Sequence, residues 1–209
     1  AGIYSRAYLM HEAGIPLEEV EWVQSGLNKG GIAEHVELAL PSTVQITPVS
    51  DKSLDQMLIN GEIDALMSSA APKSFIDGNP DIVRLYPNFE DVESAHYRKT
   101  GIFPIMHTIA IKREITEQNP WMAKNLFTAF EAAKNRSTAR MRDVTISRYP
   151  NPWNFVGAER ARALFGEDIW PYGIEPNRKT LETFLQFCLE QGIAHRPVTV
   201  EELFVPQVQ

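Results

Sequence analysis

The chain has 209 residues, 44% hydrophobic and 22% charged, with 12 Gly and 14 Pro, a composition that excludes disorder and collagen-like repeats. Its 27 acidic residues against 20 basic ones give a net charge of -7, which leaves no broad phosphate-neutralising surface and argues against nucleic acid or anionic membrane as partner. Length alone predicts one or two domains able to bury a core without metal or disulfide.

The single cysteine, Cys188, cannot form an internal disulfide, and its neighbours Phe184, Leu185 and Leu189 place it on an apolar helix face, as a buried thiol. No apolar run approaches the roughly 18 residues that a membrane span needs. The first residues read AGIYSRAYLMHEAG, without an initiator Met, a basic leader or an apolar leader core. Ile3, Ala7, Leu9 and Met10 recur at helical spacing and Gly14 can cap, so the chain is expected to begin within or just before a helix, with an upstream segment absent.

After Gly14, Val20, Trp22 and Gln24 predict a strand leading into the polar loop Asn28 to Gly31, and Val44 to Val49 predict a second strand with Pro48 at its exit. Ser53 with Gln56 three residues later forms a capping box, Leu54, Met57 and Leu58 supply the apolar stripe, and Gly61 can end that helix. Ile63 to Ser68 (IDALMS) follows as an expected short buried strand. The loop after it, with Pro72 and Lys73, would then lie at the carboxyl end of a strand, where open α/β sheets place ligands.

Residues 76 to 100 read as irregular and polar. Ile105 and Thr108 to Ile111 form the most strand-like run of the chain. Asn119 is the expected cap of a helix with Pro120 at its first position and Met122, Leu126, Phe130 and Ala133 on its apolar face. Lys134 to Arg148 reads as a solvated basic continuation of it. Ala158 to Phe165 predicts a short helix stopped by Gly166, and Leu181 to Leu189 a longer one stopped by Gly192. Thr199 with Glu202 forms a second capping box.

Most cofactor signatures are missing from this sequence. It contains no GxGxxG, no GxxxxGK[ST], no GxSxG elbow and no HExxH. The five histidines, His11, His35, His96, His107 and His195, are far apart in sequence, so a metal site would have to be assembled by the fold. Spacing alone therefore gives an α/β protein with no named reaction.

The run NGEIDAL at 60–66, a helix end passing straight into an expected strand, resembles the second lobe of type II periplasmic substrate-binding proteins. Three longer blocks sharpen the likeness: RKTGIFPIMHT at 98–108, PWMA at 120–123, and WPYGIEPNRKTLET at 170–183 together with EELF at 201–204. Together they resemble the 4,5-dihydroxyphthalate decarboxylase family. The resemblance implies a two-lobe α/β architecture of the type II periplasmic-binding-protein kind, with a mixed sheet flanked by helices in each lobe. Residues 1–102 would form the second lobe, and residues 103–209 the return strand and closing helices of the first, without that family's amino-terminal stretch.

The resemblance also implies a carboxy-lyase that converts 4,5-dihydroxyphthalate to protocatechuate with no organic cofactor, acting in the cytoplasm on a small aromatic carboxylate. Such chemistry needs an acid for the ring carbon, a partner for the catechol oxygens and cations for the carboxylate that stays. His107 is the expected acid, since an imidazole with an ordinary pKa of about 6.5 suits proton transfer at neutral pH. A core histidine bonded to a backbone carbonyl is the alternative role for it. Arg98, Lys99 and Thr100 are expected substrate contacts, the two cations for a carboxylate, and Ser68, Ser69 and Lys73 are expected to offer hydroxyls and an ammonium to the anionic ligand from the loop after IDALMS.

Ala70 and Ala71 stand before Pro72, where the resemblance implies an arginine, so the exact acid is left open. Trp170 and Tyr172 could frame an aromatic ring, although packing between a helix and a sheet is the commoner use of such residues. The other reading of the same fold is a substrate-binding protein of an uptake system, exported to the periplasm and holding an anionic or aromatic solute without chemistry. The acidic, aromatic-rich surface is compatible with a homo-oligomer, without a helical seam that would name its interface.

Overall fold

A computed structural model describes residues 2–31, 40–146 and 148–206. His35 lies outside the described residues. The chain is mixed α/β and divides into two compact units: Ala1–Val92 with Thr183–Val198, and Glu93–Glu182 with Thr199–Gln209.

In the first unit, α1 (Gly2–His11) buries Ala7 and lays one face against the end of α8 (Arg178–Glu190). Tyr4 packs tilted against Phe184 and edge-on against Phe187, at 5.3 and 6.3 Å between ring centroids. Polar groups close the same seam. Arg6 Nε donates to Gln191 Oε1 at 2.8 Å, Gln191 Nε2 donates to the Ile3 carbonyl at 2.9 Å, and His11 pairs with Glu190 at 2.8 Å. Gln191 is only 2% exposed, so its two bonds satisfy groups that would otherwise be buried at a cost, whereas the His11–Glu190 pair is exposed. Cys188 is buried as expected, and that burial raises its thiol pKa while the nearby Arg6 charge partly offsets the rise.

The two expected strands form as β1 (Trp22–Gln24) and β2 (Ile46–Pro48), paired parallel with Trp22 opposite Ile46 and Gln24 opposite Pro48. The capping box at Ser53 opens α2 (Leu54–Ile59), with Gln56 N–H donating to Ser53 Oγ and Ser53 N–H to Gln56 Oε1, both at 3.2 Å. A short helix, α3 (Lys73–Ile76), follows. Gly14, Gly61, Gly166 and Gly192 all stand at positive φ shortly after helix ends, as their positions predict.

Four expectations fail here. IDALMS at 63–68 forms no strand, and neither does the stretch 101–112. Both have the right residue types, but a strand exists only where a neighbour completes its ladder, and none of the described residues supplies one. The two-stranded β1–β2 sheet is the whole described sheet, in place of a mixed sheet in each unit. Residues 76–100 are not all irregular either: α4 (Phe89–Thr100) forms, with Glu90 and Asp91 in its first turn and Arg98 and Lys99 in its last, a charge order that complements the helix dipole.

The second unit is helical among its described residues. α5 (Arg113–Gln118) uses Asn119 as its C-terminal cap, through Asn119 N–H to the Ile115 carbonyl at 2.9 Å. Asn119 therefore closes one helix rather than capping the next, and Pro120 lies outside both. α6 (Met122–Arg142) starts two residues later than expected and runs into the basic stretch only as far as Arg142, short of Arg148. α7 (Asn154–Phe165) packs on α6 and stops before Gly166. In α9 (Val200–Leu203) the second capping box holds, with Thr199 N–H donating to Glu202 Oε2 at 2.8 Å. Arg178 gathers Glu175, Glu182 and Glu201 at 2.6, 3.4 and 2.8 Å, tying the start of α8 to α9 and holding its guanidinium pKa above the usual value.

Candidate functional sites

In the first unit the loop after β1 meets the starts of α2 and α3, and so lies beside Lys73. The loop after β1 is compressed against the segment before α2. A side chain at Gly26 would lie 2.1 Å from the Lys29 carbonyl, and one at Gly30 would lie 2.6 Å from the Ser50 carbonyl, so both positions require glycine. That close approach lets Leu54 and Asp55 N–H donate to the Gly26 and Leu27 carbonyls at 3.0 and 2.9 Å. Asn28 Oδ1 accepts from Lys73 N–H at 2.8 Å and anchors the start of α3.

Beneath it, Asp55 and Ser74 form a buried pair: Ser74 Oγ donates to Asp55 Oδ1, and Ser74 N–H approaches the same carboxylate at 3.3 Å. Sequence reasoning missed this pair, because its members lie on two separate helices. Lys73 is exposed and its ammonium pairs with Asp77 one turn on. Ser68 and Ser69 are exposed on the irregular loop, with Ser68 Oγ accepting from Ala70 N–H at 3.2 Å as ordinary turn chemistry.

In the second unit Arg98, Lys99, Thr100 and His107 follow one another along the end of α4 and the segment after it. Thr100 is engaged in capping: its hydroxyl donates to the His96 carbonyl at 2.8 Å and accepts from Ile102 N–H at 3.1 Å. Gly101, at φ +69, turns the chain out of the helix, and Lys179 donates to the Thr100 carbonyl. Lys179 was not singled out in the sequence, and its partner lies 79 positions away, beyond any local pattern. The Arg98 and His107 side chains are exposed and have no hydrogen bond or ion pair among the described residues. The core-histidine role considered for His107 is thereby set aside, since it is exposed and no carbonyl holds its ring.

An aromatic row lies beside these groups. Tyr97, next to Arg98, meets Phe165 at 4.6 Å. Phe165 meets Phe103 at 5.1 Å, and Phe103 meets Trp170 at 5.2 Å, all in edge-on geometry. Each such pair adds about 0.5–1.5 kcal/mol beyond simple burial, so the segment carrying His107 is moored through Phe103. Among the described residues no three His, Cys, Asp or Glu side chains are grouped as a metal would require, and no helix is long and apolar enough to cross a membrane.

No family model matches this chain. Two curated relatives do, both named 4,5-dihydroxyphthalate decarboxylase. The one from Comamonas testosteroni is 29% identical over 207 residues, covering 99% of this chain and 63% of that protein. The one from Pseudomonas putida is 31% identical over 99 residues, covering 47% of this chain and 38% of that protein. The chain thus spans less than two thirds of the length of either relative. Along nearly all of its own length it is similar to a 4,5-dihydroxyphthalate decarboxylase.

Proposed function

We propose that the protein is a carboxy-lyase that removes one carboxylate from a hydroxylated aromatic dicarboxylate such as 4,5-dihydroxyphthalate, giving protocatechuate. The observation that carries this reading is the similarity to the Comamonas testosteroni decarboxylase across 99% of the chain. The open state of Arg98 and His107 supports it, since a cation and a proton donor without internal partners are available to a ligand.

In this reading the His107 imidazolium gives its proton to the ring carbon bearing the departing carboxylate. The hydroxyl para to that carbon releases its proton, which removes the positive charge that ring protonation would create. The carbon–carbon bond then breaks, its electron pair restores the aromatic ring, carbon dioxide leaves, and the oxygen recovers a proton from solvent. Arg98 grips the carboxylate that stays, with Lys99 beside it, and a guanidinium can do so bidentately.

Thr100 holds the turn that carries His107. Ser68, Ser69 and Lys73 are a separate and weaker anion contact within the first unit, in which Lys73 would have to give up Asp77 for a carboxylate. The protein acts in the cytoplasm on a small diffusible acid within a type II two-lobe architecture. Incubation with 4,5-dihydroxyphthalate should release carbon dioxide and protocatechuate in equal amounts. Tight binding without either product would overturn the reading and favour an exported solute-binding protein.

A further inference from the structure

The WPYG block carries a side chain that the reaction above leaves unused. Packing between a helix and a sheet is the ordinary use of such aromatics, but the second unit has no strand among its described residues, and Trp170 is 53% exposed. An exposed tryptophan on a loose loop would mean little. Here the loop is fixed from below. The Lys134 side chain is only 7% exposed, donates to Asp168 Oδ2 at 2.7 Å and Oδ1 at 2.9 Å, and lies 5.1 Å from the Tyr172 ring centre. Asp168 Oδ1 in turn accepts from Trp170 N–H at 3.2 Å. The helical face expected to be purely solvated thus contributes a buried ammonium that sets the loop, and an anchored loop holds its indole at little further entropic cost.

The indole edge also meets Phe103, which is 38% exposed and four positions before His107. The row continues through Phe165 to Tyr97, the neighbour of Arg98. An aromatic row, exposed at Trp170 and Phe103 and half-buried at Phe165 and Tyr97, therefore adjoins both segments that carry the cation and the imidazole left unpaired among the described residues. We propose that Trp170, backed by Phe103, is the residue that selects for a planar aromatic ring in the ligand, while Arg98 answers its carboxylate. This rests on the reading that the ligand is an aromatic acid, and adds which residue recognises the ring.

The test compares phthalate with its saturated cyclohexane dicarboxylate counterpart, which keeps the carboxylates and loses the planar ring. Calorimetric affinities of the wild-type chain, Trp170→Ala and Trp170→Phe are measured with thermal unfolding of each. Trp170→Ala is expected to weaken phthalate binding roughly fivefold to tenfold, Trp170→Phe to stay within about twofold of wild type, and the saturated acid to be unaffected. Equal phthalate affinity in Trp170→Ala and wild type overturns the inference. So does an equal loss for both acids, or wild-type protein that does not prefer phthalate to the saturated acid. Ring-dependent binding without release of carbon dioxide from 4,5-dihydroxyphthalate would leave Trp170 in its role and remove the decarboxylation instead.

Discussion

The two units hold their candidate polar side chains in opposite ways. In the first unit the candidates Lys73 and Ser68 and the groups beside Lys73 are already matched: Asp55 with Ser74, Asn28 with the Lys73 backbone, the Lys73 ammonium with Asp77, Ser68 with Ala70. At the end of α4 the backbone is equally well held, through Thr100, Gly101 and Lys179, yet the Arg98 and His107 side chains have no partner among the described residues. A matched polar group stabilises its own neighbourhood and must surrender that partner before it can bind a ligand. An unmatched one on an anchored segment is available at once, which is the condition a proton donor needs.

This contrast leads first to His107. Replacement by Gln should lower kcat for protocatechuate release roughly a hundredfold or more while leaving the thermal midpoint unchanged, because the ring supports nothing internal. A parallel fall in midpoint would move His107 to the structural side of the contrast. Asp55→Ala should do the reverse. Leaving the Ser74 hydroxyl and amide buried without an acceptor costs about 1–3 kcal/mol, to be read as a lower denaturant midpoint at unchanged slope.

The smallest effect concerns Cys188. Its thiol pKa is raised by burial, so the folded state favours the neutral thiol relative to the unfolded chain. The stability this contributes is present below the unfolded thiol pKa of about 8.5 and is lost as pH rises through that value towards the folded one. Native protein at mildly alkaline pH should accordingly resist alkylation that goes to completion in denaturant, whereas rapid labelling of the native chain would show that α1 and α8 do not seal it.

What could be read from the chain follows from the range of the interaction involved. Both capping boxes, at Ser53 and Thr199, were legible because a cap and its reply are three residues apart. The glycine stops were legible for the same reason. The strands at 63–68 and 105–111 were misread because residue type states a preference, while pairing depends on a distant neighbour. α4 escaped notice because it buries no residue fully, although its acidic start and basic end were a usable signal. Within the sites, Arg98, Lys99 and His107 came from the resemblance. Asp55 with Ser74, Lys179 with Thr100, and Lys134 with Asp168 could come only from the fold, since their members are 19, 79 and 34 positions apart.

The contrast between the units is tested most directly by titrating phthalate calorimetrically into Arg98→Met and Lys73→Met. Loss of a charge-assisted contact should weaken binding roughly tenfold or more in Arg98→Met, and by no more than about twofold in Lys73→Met, whose ammonium already has Asp77. A large loss in Lys73→Met with Arg98→Met near wild type would contradict the account and place the ligand at the matched groups of the first unit.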